Sequence, residues 1–150
     1  MQEAPKWEIK PFEALSAAEL YECLFLRSDV FIKEQNCVYN DVDNKDQKAL
    51  HLYGILQGEI VAYARLFKPN DYFEEASIGR VVVRADQRDK NLGHELMDKA
   101  IEAIAEHFGK ENITISAQLY LKKFYESHQF VAVGESYLED DIPHIRMKRN

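Results

Sequence analysis

Two cysteines, Cys23 and Cys37, in a chain of 150 residues cannot build the multi-bridge framework of small secreted domains, and they stand in no metal-ligand spacing. A reduced, cytoplasmic setting follows. Long apolar runs are missing as well. None approaches the roughly 20 residues that a membrane helix needs, and the start, "MQEAPKWEIK", lacks the basic-then-apolar pattern of an export signal. No membrane partner is expected. Positive charge is in deficit: 19 Lys and Arg against 26 Asp and Glu leave a net charge of −7. That argues against nucleic acid as a partner, because such binding runs on neutralised phosphates; a cationic partner fits better. The five histidines show no helical pairing at ligand spacing, so no metal is expected. With four prolines and six glycines there is no linker, low-complexity tract or repeat, and the length suits one domain over residues 1–150.

What is present reads as strands alternating with helices. "WEIKPF" alternates apolar and charged residues until Pro11 ends it, a first strand. "LSAAEL" is a helix start: Ser16 caps, Glu19 completes a capping box, and Leu15 staples onto Leu20. The helix continues through "YECLFLRSDVFIKEQ" with a break near Arg27–Ser28, and "NCVYNDVDNKDQK" is an acidic loop. "HLYGIL" and "IVAYARLF" flank a turn at Gly58 as a hairpin. "ASIGRVVV" is a strand whose apolar end predicts burial on both faces. Leu92, Leu96, Ala100, Ile104 and Phe108 recur every four residues on one helix face, with Met97 and Ile101 beside them, and Gly109 stands where helices stop. "ITIS" is a strand, "LYLKKFYESH" a short helix, and "FVAVGESYL" and "HIRMKR" are strands split by the acidic "EDDIP". The order β–α–β–β–β–α–β–α–β–β implies a mixed α/β sheet with some parallel pairing.

The turn between the third hairpin-side strand and the long helix carries Arg88, Lys90, Asn91 and Gly93. A helix start offers unpaired N–H donors and a partial positive charge, so a phosphate is stabilised there with little side-chain help. Arg88 and Lys90 add charge, and Gly93 lets a backbone come close. An ordinary basic surface turn has the same composition.

"VVVRADQRDKNLGHELM" resembles the acyl-CoA-binding motif of the GNAT N-acetyltransferase superfamily, Q/R-x-x-G-x-G/A. Arg88 matches its first position and Gly93 its last; Asn91 replaces the middle glycine, and Asp89 stands where relatives usually carry glycine. "LRSDVFIKEQ", "HLYG", "VAYARLF", "IGRVVV", "AQLYLKKFYESHQF", "GESYLEDDIPHI" and "MKR" are similar, in order, to the ElaA-like branch of that superfamily, with Gln129 at a usual glycine. The resemblance implies a GNAT fold: an α/β (α+β mixed) sheet, mostly antiparallel, with a splayed parallel strand pair and flanking helices. It implies an acyltransferase that moves an acetyl group from acetyl-CoA, as co-substrate, to a primary amine by direct attack in a ternary complex. A homodimer through the C-terminal strands is compatible with it.

The reaction sets demands on particular residues. The cofactor's diphosphate needs donors from Arg88, Asp89, Lys90, Asn91, Leu92, Gly93 and His94. Its pantetheine arm can pair like an added strand with the main chain of Val81 and Val83, and an N–H near Val82 is the expected oxyanion donor. Tyr125 matches the tyrosine that the family places near the sulfur, where a phenol can protonate the departing thiolate. A lysine-like amine is protonated at neutral pH, so a base must take its proton. Glu34 is the first candidate and His144 the second; His51 and Glu139 are others. Each has a structural alternative: Glu34 held by Arg27, the histidines bonded at sheet edges, Glu139 solvated. The acidic clusters Asp41, Asp43, Asp46 and Glu139, Asp140, Asp141 would steer a cationic small-molecule or peptide amine if both rim the acceptor groove. Two rival readings are a CoA-binding module without catalysis and a site for nucleotide phosphates, although no lysine–serine pair follows the turn as a P-loop requires.

Overall fold

In the computed structural model, which describes residues 4–150, strand β1 (Lys6–Pro11) stops at its proline as expected. Helix α1 (Ala17–Arg27) starts with the full capping box: Glu19 N donates to Ser16 Oγ at 3.0 Å, and Ser16 N to Glu19 Oε1 at 2.8 Å. At the expected break the backbone widens into a π-helical stretch, Ser28–Glu34. Then follow β2 (Leu50–Leu56), β3 (Glu59–Phe67), β4 (Ser77–Val83), α2 (Leu92–Phe108), β5 (Ile113–Gln118), α3 (Lys122–Glu126), β6 (Val131–Glu139) and β7 (Ile142–Arg149).

The strands form two sheets, β1-β2-β3-β4 and β5-β7-β6, antiparallel throughout. Helix α2 joins them. Its predicted stripe buries Leu96, Met97, Ala100 and Ile104 against Leu52, Ala64 and Leu66 of the first sheet and Ile113, Ile115 and Met147 of the second. Helix α1 covers the other face of the first sheet through Cys23 and Leu26 on Tyr53 and Tyr63. Strand β3 is therefore sandwiched, and eight of its nine residues are buried.

Three expectations need correction. The splayed parallel pair is not seen. Among the described residues one isolated parallel bridge, Ala76 with Ile113, ties the residue before β4 to the start of β5, and Thr114 N donates to Ala76 O at 2.8 Å. The reason lies in β4. Tyr63 pairs with Val82 but Arg65 with Gly79, so Arg80 is an extra residue in a bulge, at φ 51°; a bulge bends its strand. Second, Val81 and Val83 are half-buried rather than covered on both faces. Third, "EDDIP" is no loop: Asp140 and Asp141 alone make a two-residue turn at φ 51° and 62°, and Ile142 and Pro143 already belong to β7. Aspartate tolerates that left-handed geometry better than most residues. Gln129, in place of glycine, sits at φ 73°, as its position required, at a cost of about 1 kcal/mol.

Candidate active site

A cavity of about 830 Å³ opens between the two sheets, with β4 on one wall and Ile115, Ser116 and Gln118 of β5 on the other. The turn into α2 forms one end. Beyond Ala85–Gln87, Asp89 and Asn91 both take left-handed backbone, φ 63° and 65°. Asn91 caps α2 without a side-chain bond, and the first intrahelical bond is Glu95 N to Asn91 O, 3.1 Å. The N–H groups of Leu92, Gly93 and His94 thus have no acceptor inside the helix, and all three residues line the cavity. This is the geometry that binds an anion by backbone alone.

Gly93 strengthens the case. A Cβ there would meet only the Phe124 ring, at an ordinary 3.5 Å. Nothing in the fold requires glycine, which costs a helix about 1 kcal/mol relative to alanine. The open cradle fits a ligand seated on the helix mouth. Gly93→Ala should leave the melting temperature unchanged or raise it while weakening coenzyme A binding about tenfold or more, the scale of one overpacked methyl. Equal affinity in a calorimetric titration would show that nothing seats there.

Strand β4 presents its free edge to the same space. Arg84 N donates to Val61 O at 2.8 Å. Alternation along the strand then aims the Val82 N–H at β3, and the Val83 N–H and Val81 carbonyl away from it. Of the N–H groups near Val82, where an oxyanion donor is expected, that of Val82 is therefore spent on β3 and that of Val83 lies on the free edge. The edge is suited to pair with the amides of an extended arm.

Arg88 and Glu34 are joined, which sequence reasoning missed. Arg88 Nη1 and Nη2 reach the Glu34 carboxylate at 2.6 and 2.9 Å, and Arg88 Nε donates to Val83 O at 3.0 Å. Arg27 does not hold Glu34. Hydrogen bonds from Arg88 keep the Glu34 carboxyl below its ordinary value, and Glu34 does not line the cavity. It is a poor base as it stands. Lys90 points elsewhere: it faces a second cavity of about 400 Å³, and its Nζ donates to Gln87 Oε1 at 3.2 Å.

Tyr125 and His144 do line the main cavity. Tyr125 is buried edge-on against Phe124 and Phe130, and burial pushes its phenol well above the ordinary range. It stays protonated, a donor with no acceptor among the described residues. His144 Nδ1 lies 2.7 Å from Ile142 O. A carbonyl only accepts, so Nδ1 carries a ring proton, and in the neutral ring the lone pair is then on Nε2. Glu139 Oε2 is 3.5 Å from that Nε2. Ser116 Oγ donates to Glu139 Oε1 at 3.1 Å and also bonds Tyr137 Oη. Ser116 and Tyr137 carried no sequence signal; register sets Tyr137 opposite His144, while Ser116 stands opposite Arg146 and meets Tyr137 and Glu139 by its hydroxyl.

A model of the acetyltransferase (GNAT) domain matches residues 17–150. The chain belongs to the GNAT acetyltransferase family. It is 40% identical over 146 residues to protein ElaA of Escherichia coli, covering 96% of this chain and 95% of that one. A UPF0039 protein of Schizosaccharomyces pombe is 39% identical over 141 residues, 93% of each chain. A crystal structure of an acyl-CoA N-acyltransferase from Pseudomonas aeruginosa superposes with a TM-score of 0.93 at 40% identity, covering 98% of this chain and all of that one.

In this GNAT domain the first acidic cluster does not rim the groove as a free charge. Asp41 and Asp46 are buried, and Asp43 is half-buried. Arg27 reaches Asp41 at 2.9 Å and Asp46 at 2.8 Å; Arg65 reaches Asp43 at 2.7 Å and Asp46 at 3.0 Å; Arg80 reaches Asp41 at 2.7 Å. Three arginines neutralise three aspartates, so no net field is left for steering. The cluster pins the loop between α1 and β2 onto the first sheet. His51 is part of the same structure. It is wholly buried, held by Tyr63 Oη at 2.6 Å and Asp46 O at 2.9 Å, and burial lowers its pKa. It is not a base for a substrate. Only Glu139 and Asp140 of the second cluster line the cavity.

Proposed function

We propose that the protein transfers an acetyl group from acetyl-CoA to a primary amine. The observation that carries this reading is the convergence on one cavity of three unspent N–H groups at the α2 mouth, the free β4 edge, the Tyr125 phenol and the His144 lone pair. Acetyl-CoA would supply an activated thioester.

Each protein group then has one task. Leu92, Gly93 and His94 hold the diphosphate, and Val81 and Val83 align the arm. The Val83 N–H faces the charge that grows on the acetyl oxygen. His144 Nε2 accepts the proton that the attacking amine gives up, and the Glu139 carboxylate stabilises the imidazolium so formed. Tyr125 donates to the departing sulfur. The burial that raises its phenol also makes a bare thiolate costly beside it, so a hydrogen bond there is worth more than in water. Direct attack needs both substrates present together, and the reading is supported by one cavity that takes in the α2 mouth, the β4 edge and His144.

The test is thiol release from acetyl-CoA across a panel of polyamines, amino-acid amides and lysine peptides. Amine-dependent release, with acetylated amine identified by mass, supports the reading. Tight coenzyme A binding with no release above the amine-free rate would support the non-catalytic module instead. Tyr125→Phe, which keeps the ring packing, should lower kcat roughly 10- to 100-fold, the worth of one hydrogen bond to a developing charge, with coenzyme A affinity unchanged.

A further inference from the structure

The arginines of this chain are bonded, with one exception. Arg27, Arg65, Arg80, Arg84 and Arg88 are each paired with a carboxylate, and Arg149 Nε donates to His128 O at 3.0 Å. The exposed Arg146 has no side-chain hydrogen bond or ion pair among the described residues. Its guanidinium is nevertheless held in place. Cζ lies 4.8 Å from the centre of the Phe73 ring, and Phe73 lines the main cavity. Stacking on a ring fixes the plane of the fork and leaves its N–H edges free.

Strand β7 decides where that fork stands. Ile145 and Met147 turn into the core against α2. His144 and Arg146 therefore share the opposite face, two residues apart, or about 7 Å along the strand. Register with β5 sets Gln118 opposite His144 and Ser116 opposite Arg146, and both β5 residues line the cavity. Arg146 thus stands at the cavity rim beyond His144, flanked by Ser116 and Phe73.

The rim carries a second cation. Lys45 Nζ lies 5.5 Å over the Tyr72 ring, and the Tyr72 and Phe73 rings meet edge to face at 4.9 Å. Lys45 also has no ion pair among the described residues. The carboxylates of this region are engaged elsewhere. Glu139 accepts from Ser116 and stands 3.5 Å from His144 Nε2. Asp43 and Asp46 are held by Arg65 and Arg27, and Glu75 by Thr114 and Lys148. In a chain of net charge −7, two cations without anions flank the end of the cavity where the amine is to react. A stacked guanidinium fork is matched in shape and charge to a carboxylate.

We propose that Arg146 anchors a carboxylate carried by the amine acceptor, so that the acceptor is a small amino acid whose amine and carboxylate are a few carbons apart; this rests on the acetyl-transfer reading above. The amine meets His144 Nε2 beside Glu139, the carboxylate meets the Arg146 fork, and Lys45 adds positive field. A spacing of about 7 Å between the two strand positions suits an extended ω-amino acid better than an α-amino acid, whose two groups share one carbon. A polyamine placed the same way would set its second ammonium against the guanidinium, and like charges repel.

The probes are 4-aminobutyrate, its amide and n-butylamine, whose amines are all lysine-like, so the carboxylate is the variable; 1,4-diaminobutane is the cationic counterpart. Thiol release from acetyl-CoA gives kcat/KM for each. The wild type should prefer 4-aminobutyrate over the other three by about 10- to 100-fold, mostly through KM, the scale of a charge-assisted hydrogen-bonded pair. Arg146→Gln, on an exposed side chain, should abolish that preference with the melting temperature and coenzyme A affinity unchanged. Arg146→Glu should invert the order in favour of 1,4-diaminobutane. Equal rates with all four amines, a wild type that prefers the diamine, or Arg146→Gln with the wild-type preference overturns the carboxylate anchor and leaves acetyl transfer in place. Release confined to polyamines or lysine peptides does the same. No amine-dependent release with any of these acceptors overturns both.

Discussion

His144→Gln should lower kcat/KM for the amine roughly 100- to 10,000-fold at neutral pH, the range for losing a positioned base. The deficit should shrink as pH approaches about 10, because a lysine-like amine with a pKa near 10.4 then sheds its own proton. Coenzyme A affinity should not change, since His144 stands on β7 of the second sheet and has no part in holding the diphosphate or the arm. Glu34→Gln should behave differently. It frees Arg88 from a carboxylate held at 2.6 Å, so its effect should fall on the cofactor KM more than on kcat. Measured pH–rate profiles of both variants decide the assignment. A collapse confined to Glu34→Gln, with His144→Gln unaffected, would reverse it.

Arg27→Met should cost about 3–5 kcal/mol, because it leaves Asp41 and Asp46 buried without their partner. For a chain of this size that is a fall in melting temperature of roughly 6–20 °C. The exposed Lys122–Glu126 pair, at 4.0 Å, is the control; Lys122→Ala should change stability by less than about 0.5 kcal/mol. A loss under about 1 kcal/mol for Arg27→Met would mean that the cluster does not hold the fold. Acid reports on the same network. Burial alone would raise Asp43, but Arg65 outweighs it and holds the carboxyl at about 2. Asp46 is likewise lowered, burial being overcome by Arg27 and then Arg65. Folded values below the unfolded ones mean that this stability is fully present above about pH 4–5 and is lost as pH falls toward 2. Urea midpoints of the wild type should drop across that window.

Much of this was legible before any coordinates. The α2 stripe, the Ser16–Glu19 box and the stop at Gly109 are local signals, and local signals survive folding. The strain at Asn91 and Gln129 was legible too, because each replaces a glycine where left-handed backbone is needed. Partnerships across the chain were not. Glu34 could be seen to need a cation, but Arg27 is near in sequence and Arg88 is near in space. The run Asp41–Asp46 has the composition of a solvated loop; Arg27 of α1, Arg65 of β3 and Arg80 of β4, distant in sequence, draw its aspartates inward. The bulge at Arg80 follows directly on Gly79, and a glycine inside a strand pattern is a bulge signal that the reading of "ASIGRVVV" as a plain strand passed over. The valines of β4 look like core because a cavity wall needs the same residues as core. Val81 and Val83 are half-buried because open space replaces a neighbouring strand.

Titration calorimetry with coenzyme A, run beside ATP on the same protein, bears most directly on whether the α2 mouth and the β4 edge grip a long thiol carrier. The expected result is saturable 1:1 binding of coenzyme A, much tighter than ATP, and weakened by Gly93→Ala. No heat with coenzyme A, or ATP bound equally well, would contradict it.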